Sequence, residues 1–432
     1  MEVLLLSVIF GIIIGILVGL LPVLPIYFGP FVLYYFLPYI ELEHMLVFWT
    51  SVLIGSQYFG SITTITTGIP GEASSIVYLN DTNKMTLVEK NKLLYQTAKG
   101  SLVATFVGVG VLYGLVQYTR SADDLLFFSS VNFQIVAYTV AMLSFILMSK
   151  KMLVTVGLIL LAIVISPNNN YALPDTWFQI QLIFQGYTIY LVVLGVLIIP
   201  EVISYNSKLS KHQSHFEANH KATLNTYQTI KASIVGVLSG LIPGPNSILA
   251  STFAYKSTKE TKQKVVNAEV ANNSAVISAL LPFITIGIPI TSSSLIFSNL
   301  LDIKAITLPE TIFLPSSIAG VNTFELMVVS IIIVSVIMYY LAINFIDVYV
   351  NLIDNLHNKM KFIMIGIVGL LIAFDLYASE LTIMSYSLLL MFFTAIGVVL
   401  KNKNIDAVPF MFMLLLGDKV VWTYMQYYQI NF

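Results

Sequence analysis

The chain repeats itself, and the repeat limits what it can fold into. Gly15-Ile16-Leu17-Val18-Gly19-Leu20-Leu21-Pro22 aligns without a gap on Gly236-Val237-Leu238-Ser239-Gly240-Leu241-Ile242-Pro243, and Thr66-Thr67-Gly68-Ile69-Pro70 aligns on Thr285-Ile286-Gly287-Ile288-Pro289. Proline to proline, the two cassettes lie 48 residues apart in the first copy and 46 in the second. Chance does not keep that spacing, so one unit has been duplicated.

Both copies sit in apolar runs long enough to cross a hydrocarbon core of about 30 Å, which takes roughly 20 helical residues. Of 432 residues, 57% are hydrophobic and 10% charged, more apolar surface than a soluble chain of this length can bury. The runs lack the strict alternation of barrel strands, so the expected fold is an all-α polytopic membrane protein. A net charge of -1 gives no reason to expect nucleic acid as a partner. The absence of cysteine removes disulfides, thiol chemistry and thiolate metal sites. Met1-Glu2 precedes the first apolar run without a basic segment or a small-residue cleavage site, so residues 3 to 21 read as retained membrane structure.

Loop charge sets the relative orientation of the copies, because short cytoplasmic loops collect Lys and Arg. Between its cassettes the first copy carries Glu41 and Glu43 without lysine, whereas the second carries Lys256, Lys259, Lys262 and Lys264. After the second cassette the pattern reverses, with Lys84, Lys90 and Lys92 in the first copy and Asp302, Lys304 and Glu310 in the second. Corresponding loops therefore face opposite sides, the mark of two inverted-topology repeats. The run 231–256 has Lys-rich segments on both sides but only 26 residues, and two crossings need about 40. It reads as a re-entrant helical hairpin with its tip at Pro243-Gly244-Pro245, and 3–36 reads as its counterpart entering from the other side.

The expected organisation is a first repeat over 1–205, with a hairpin at 3–36, a broken transmembrane helix at 45–79 and scaffold spans within 96–205. A cytoplasmic polar linker covers 206–230. The second repeat covers 231–432, with a hairpin at 231–256, a broken helix at 269–301 and scaffold spans within 323–428. Each repeat then has four continuous spans.

Backbone breaks at membrane depth survive only where protein or a water-lined cavity surrounds them. Four breaks, two per repeat, suggest helix ends meeting near the midplane, where free amides suit anions and carbonyl ends suit a small cation. Pro22, Gly68, Pro70, Gly71, Pro243, Gly244, Gly287 and Pro289 would shape the backbone of such a site. Ser61, Ser74, Ser75, Ser292, Ser293 and Ser294 offer hydroxyls that can donate to a carboxylate, with the alternative that they bond their own helices. Asn246 and Ser247 follow the hairpin tip, and Asn272 and Asn273 begin the second broken run, where paired amides are costly unless bonded. Thr66, Thr67, Thr285 and Glu72 are candidates for a coupling ion, and Glu72 is either a carboxyl at membrane depth or one at the cytoplasmic mouth. Glu269 reads as helix-start chemistry and Asp375 as scaffold. The five histidines show no paired ligand spacing, and no Walker motif, nucleophile elbow or dinucleotide turn occurs. Neither a cofactor nor a bound metal is expected beyond Na⁺ or H⁺ as coupling ion.

Four stretches together resemble the large membrane subunit of the tripartite tricarboxylate transporters, the TctA family. They are Gly19-Leu20-Leu21-Pro22; Tyr58-Phe59-Gly60-Ser61 running into Ile69-Pro70-Gly71; Gly240-Leu241-Ile242-Pro243-Gly244 with Ala254-Tyr255; and Glu269-Val270-Ala271-Asn272-Asn273 running into Leu280-Leu281-Pro282 and Gly287-Ile288-Pro289. The resemblance covers nearly the whole chain. It implies secondary uptake of carboxylates such as citrate on a Na⁺ or H⁺ gradient, in the cytoplasmic membrane, with a small membrane subunit and an extracytoplasmic substrate-binding protein. Val23, Ile290 and Glu72 depart from the family pattern, the first two where a Gly is usual and the third where a small hydroxyl residue is common.

The expected function is a permease for a small organic anion, a di- or tricarboxylate, embedded in the lipid bilayer and compatible with a homo-oligomer. A carrier of a lipid-linked or other amphiphilic anion, working without a binding protein, is the alternative. A membrane-embedded enzyme lacks an acid–base pair or metal cluster to support it, and a non-transporting scaffold leaves the doubled breaks unexplained.

Overall fold

A computed structural model describes residues 2–21, 28–68, 70–121, 131–149, 151–165, 187–204, 222–244, 246–303, 306, 308–316, 321–356, 359–379 and 381–428. Among them every regular element is helical, and seven helices are long and apolar enough to cross a membrane. Pro22, Val23, Ile69, Pro245 and most of the expected linker lie outside the described residues.

The first half supplies α1 (Glu2–Leu20), α2 (Phe28–Leu33), α3 (Leu42–Thr67), α4 (Leu87–Ser121), α5 (Val131–Met148) and α6 (Met152–Ile165). Its last helix, α7, runs as Ile189–Val193, a π-helical stretch Leu194–Ile198 and Ile199–Ser204. The second half supplies α8 (Thr226–Gly240), α9 (Asn246–Ser257), α10 (Thr261–Ser278), α11 (Leu280–Ile286) and α12 (Ser292–Ile303). It ends with α13 (Thr323–Asn344), α14 (Ile346–Leu356), α15 (Met360–Ala378), α16 (Ile383–Asn402) and α17 (Val408–Tyr428).

The duplicated glycines explain how the centre packs. In α1, Gly11, Gly15 and Gly19 form a stripe one turn apart against α3; a Cβ at Gly15 would lie 2.9 Å from the Gly55 Cα, and one at Gly19 would lie 2.8 Å from the Gly60 amide. In α8, Gly236 and Gly240 do the same against α10, where a Cβ would come within 2.2 Å of the Ala271 carbonyl and 2.4 Å of the Ala275 carbonyl. Such small-residue stripes let backbones approach where lipid supplies no hydrophobic drive. The two halves also interlock, because α4 of the first packs on α10 of the second, and α13 of the second packs on α3 of the first. As a result α3 is buried from Glu43 to Thr67 and has no face left for lipid. The outer layer is formed by α17 against α5 and α6, and by α16 against α7. There Asp375 is fully buried and accepts from Thr188 (2.8 and 2.9 Å) and Tyr386 (2.7 Å), a clasp between scaffold helices.

The Gly-Ile-Pro turns do not interrupt their helices halfway. The helix α3 and the stretch Thr261–Ile286 each have 26 residues, about 39 Å at 1.5 Å per residue, enough for a whole hydrocarbon core. Each turn ends its helix through a glycine at positive φ, Gly68 at 71° and Gly287 at 72°. Their amides bond back to Thr64 and Phe283, both at 3.1 Å, a left-handed C-terminal cap. The second run also starts earlier than its apolar content suggests, at Thr261, which places Asn272 and Asn273 mid-helix rather than at a helix start. Inside that run the helix breaks at Ala279, just before Pro282, which cannot donate the next backbone bond. A further element, α14, is amphipathic, burying Ile346, Tyr349, Val350 and Ile353 while exposing Val348 and Leu352; its polar residues hide it from a search for apolar spans.

Candidate functional site

Beyond Gly68 the chain folds back into the bundle. Gly71 packs on Gly60 so closely that a Cβ at Gly71 would lie 2.2 Å from the Gly60 carbonyl. Gly60 is seven residues before Thr67, about 10 Å back along α3. From Glu72 the 3-10 turn Ala73–Val77 and the turn Leu79–Thr82 bring the chain down again, until the Asn83 side chain lies beside Gly68. Residues 70–83 thus form an inward loop with Glu72 at its inner end.

A polar node built from both halves surrounds that end. Glu72 Oε2 accepts from Gln57 Nε2 and from Asn272 Nδ2, both at 3.0 Å, and Asn272 Nδ2 also donates to Gln57 Oε1 at 2.6 Å. Ser74 Oγ approaches the same carboxylate oxygen at 3.4 Å. Gln57 lies near the middle of α3 and Asn272 near the middle of Thr261–Ile286. One turn away on α10, Glu269 accepts from the Tyr78 hydroxyl, and Asn273 donates to Ser101 on α4. Glu269 stands eight residues into α10, so helix-start chemistry is not its role. Two buried acceptors in the node, Glu72 Oε1 and Asn272 Oδ1, have no donor.

The second turn forms its own cluster. Gly244 of the α8–α9 tip donates its amide to the Ile290 carbonyl at 3.3 Å. Asn246 closes the tip, donating to the Gly240 carbonyl at 3.1 Å and accepting from the Ser247 amide at 2.8 Å. Ser293 accepts from Trp49 Nε1 of α3 at 2.8 Å. Thr291 and Ser294 cap α12 reciprocally, at 3.1 and 3.2 Å, as Glu72 and Ser75 cap the 3-10 turn in the first half. Pro243 and Pro289 are buried in this cluster, and Ser292 is half-buried at its edge. Trp49 precedes Gln57 by eight residues, so the two clusters lie about 12 Å apart along α3.

Several candidate hydroxyls turn inward to their own helices. Ser61, Thr66, Thr67 and Thr285 donate to the carbonyls of Tyr58 (2.9 Å), Ile62 (2.7 Å), Thr63 (2.6 Å) and Leu281 (2.8 Å). Their protons are thereby engaged. Thr64 also faces its own helix, at 2.9 Å from the Gly60 carbonyl, and links the inward loop to α3 by accepting from the Gly71 amide at 2.8 Å, with Ser75 Oγ 3.0 Å away.

Gln57, Trp49, Tyr78 and Lys90 are polar groups of these clusters that spacing alone did not single out. Lys90, read as a loop charge, is buried, with Nζ at 3.4 Å from the Thr66 carbonyl. There it complements the negative end of α3. At the opposite end of α3, donor atoms of Glu41, Glu43 and His44 lie within 4.8 Å of one another. The first turn of a helix is its positive end, so these carboxylates suit the helix start better than a metal cation would.

Residues 5–412 match the family model described as Tripartite tricarboxylate transporter TctA family. Over 271 residues the chain is 24% identical to a protein of Agrobacterium vitis described as "Uncharacterized 52.8 kDa protein in TAR-I ttuC' 3'region", covering 56% of this chain and 53% of that protein. The chain thus spans about half the length of that curated relative. No solved structure matches.

Proposed function

The chain belongs to the tripartite tricarboxylate transporter TctA family and is an integral membrane protein, and from that premise we propose that it is the permease of a gradient-driven carrier for a small organic anion, a di- or tricarboxylate. The observation that carries this reading is the node Gln57–Glu72–Asn272, contributed by both halves, midway along two long buried helices. A buried contact between halves is remade or broken whenever one half moves against the other, which is what alternating access requires.

The exchange packing of α4 on α10 and α13 on α3, and the matching glycine stripes of α1 and α8, support two inverted repeats. The antiparallel arms α8 and α9 support a re-entrant hairpin: α8 follows α10 through Gly236 and Gly240, and α9 returns beside it with Ser251 bonded to the Ala268 carbonyl at 3.1 Å. On this reading the permeation path runs between the two clusters on α3. The amides and hydroxyls of the inward loop, the hairpin tip and the α12 start would receive the carboxylates. A substrate anion beside an ionised Glu72 would be repelled, so a cation must enter with it, and this is how binding of ion and substrate becomes linked. In the cytoplasmic membrane the chain would work with a small membrane subunit and an extracytoplasmic binding protein.

The test is a thermal-shift screen of the purified chain against di- and tricarboxylates with and without Na⁺. A ligand at 100 times its Kd adds about 2.7 kcal/mol to the folded state, so a carboxylate of the right class raises the melting temperature. Uptake by cells carrying Asn272→Ala with Asn273→Ala should be lost while the protein remains inserted; normal uptake would remove both residues from the site.

A further inference from the structure

The two reciprocal caps differ in a way that capping does not require. Thr291 holds Ser294 with a neutral hydroxyl, whereas at the matching place in the first half Glu72 holds Ser75. A hydroxyl would serve there too, so the carboxyl of Glu72 answers to something else. It has a second carboxyl nearby: Glu269 and Asn272 are three residues apart on α10 and adjacent on its surface, and Asn272 is bonded to Glu72.

Within this pair Glu72 acts on Glu269, and both act on Tyr78, while the groups bonded to the Glu72 carboxyl are the neutral Asn272, Gln57 and Ser74. Facing it from α3 are the neutral Gln57 and Thr64. Tyr349 of α14 is engaged by Thr63, Tyr255 of α9 by Asp81, and Lys90 of α4 by the Thr66 carbonyl. Among the described residues no salt bridge reaches either carboxyl. Glu269 is buried and Glu72 is half-buried with its Oε1 enclosed, and two such carboxyls without a cationic partner are not both ionised.

Hydrogen bonding gives an independent sign. Donors crowd Glu72 Oε2 and leave Oε1 with none, while the Asn272 amide oxygen, on a side chain only 1% exposed, is an acceptor without a donor. A proton on Oε1 makes that atom a donor, which is what the node lacks. The Glu72 carboxyl packs against Gly60, where a Cβ would lie 3.2 Å from Oε1, so a side chain at that position would crowd it.

We propose that Glu72 and Glu269 form a two-carboxyl proton site, framed by Gln57, Asn272 and Tyr78, which takes the coupling ion as a proton. The proton sits on Glu72 Oε1, and Glu269 stays ionised, accepting from Tyr78. Delivery on one side of the membrane and release on the other leave the chain unchanged and move one positive charge with the anion. The coupling role rests on the carrier reading above; the proton site does not.

Infrared difference spectroscopy of the purified full-length chain during a pH titration tests it. The wild type should show a protonated-carboxyl C=O stretch at neutral pH that disappears on alkalinisation. Glu72→Gln should remove the band, as should Glu72→Thr, which keeps the cap and so preserves the fold. Glu269→Gln should also remove it, because the negative charge that retains the proton is gone. The proposal is overturned if the wild type lacks the band at neutral pH, if the band survives both Glu72 substitutions, or if Na⁺ at constant pH abolishes it. If the band behaves as expected but no carboxylate alters it or the melting temperature, the proton site stands and the carrier reading falls.

Discussion

The bond between Gln57 and Asn272 gives the sharpest energetic test of the node. Asn272→Leu keeps a side chain of similar volume but removes the donor to Gln57 Oε1 (2.6 Å) and one donor to Glu72 Oε2 (3.0 Å). Leaving a buried acceptor unsatisfied costs about 1–3 kcal/mol, and losing a bond to a neutral carboxyl about 0.5–1.5 kcal/mol, so the variant should lose about 1.5–4.5 kcal/mol. Gln57→Leu alone removes the acceptor of Asn272 and the donor from Gln57 Nε2 to Glu72 Oε2 (3.0 Å), and should cost about 1.5–4.5 kcal/mol. In the double variant the Gln57–Asn272 bond has no partner left to strand, and the combined loss should fall short of the sum by about 1–3 kcal/mol. Equilibrium unfolding of the purified proteins in mixed micelles, over a rising fraction of denaturing detergent, measures all three. Additivity within about 0.5 kcal/mol would mean that the two amides do not meet, and the junction between halves would be lost with them.

Four further outcomes follow from the same framework. Gly236→Ala sets a methyl 2.2 Å from the Ala271 carbonyl and should cost about 1–3 kcal/mol in the same unfolding assay, whereas Gly110→Ala, with nothing within 4 Å in the interior of α4, should stabilise by up to about 1 kcal/mol. Trp49→Phe keeps ring packing on Phe283 and Phe297 but loses the bond to Ser293, and should cost about 1 kcal/mol more than the same change in a Ser293→Ala background. Lys262→Gln breaks an exposed 3.1 Å bridge to Glu89 and should lower stability only slightly at low salt and not at all at high salt.

Much of this architecture can be read from residue order. The glycines of the first cassette, Gly15 and Gly19, recur as Gly236 and Gly240 because both pairs serve one purpose, backbone contact with a neighbouring helix. Gly68 and Gly287 recur because a helix ending at positive φ needs glycine there. Depth was harder to read. Polar residues at 261–268 look like loop, yet Val265, Asn267 and Ala268 are buried in α10, so the helix extends beyond its apolar stretch and carries Asn272 to its middle. The inward course of residues 70–83 is hidden for a similar reason, since nothing in Gly71-Glu72-Ala73 reports that Gly71 packs on Gly60. Gln57 and Tyr78 gained their roles from partners some two hundred residues away, a relation that local spacing does not encode.

A path between the two clusters must open to each face of the membrane in turn, and the natural lack of cysteine makes this directly measurable. Ser74 and Ser293 are 2% and 4% exposed here, so a thiol at either place reacts only when the protein moves. Ser74→Cys and Ser293→Cys, each in the otherwise unchanged chain, would be treated with a membrane-impermeant maleimide in right-side-out and in inverted vesicles. The account predicts that each thiol is labelled from both faces and that a bound tricarboxylate slows the reaction. Labelling from one face alone, or from neither, regardless of ligand, would contradict it.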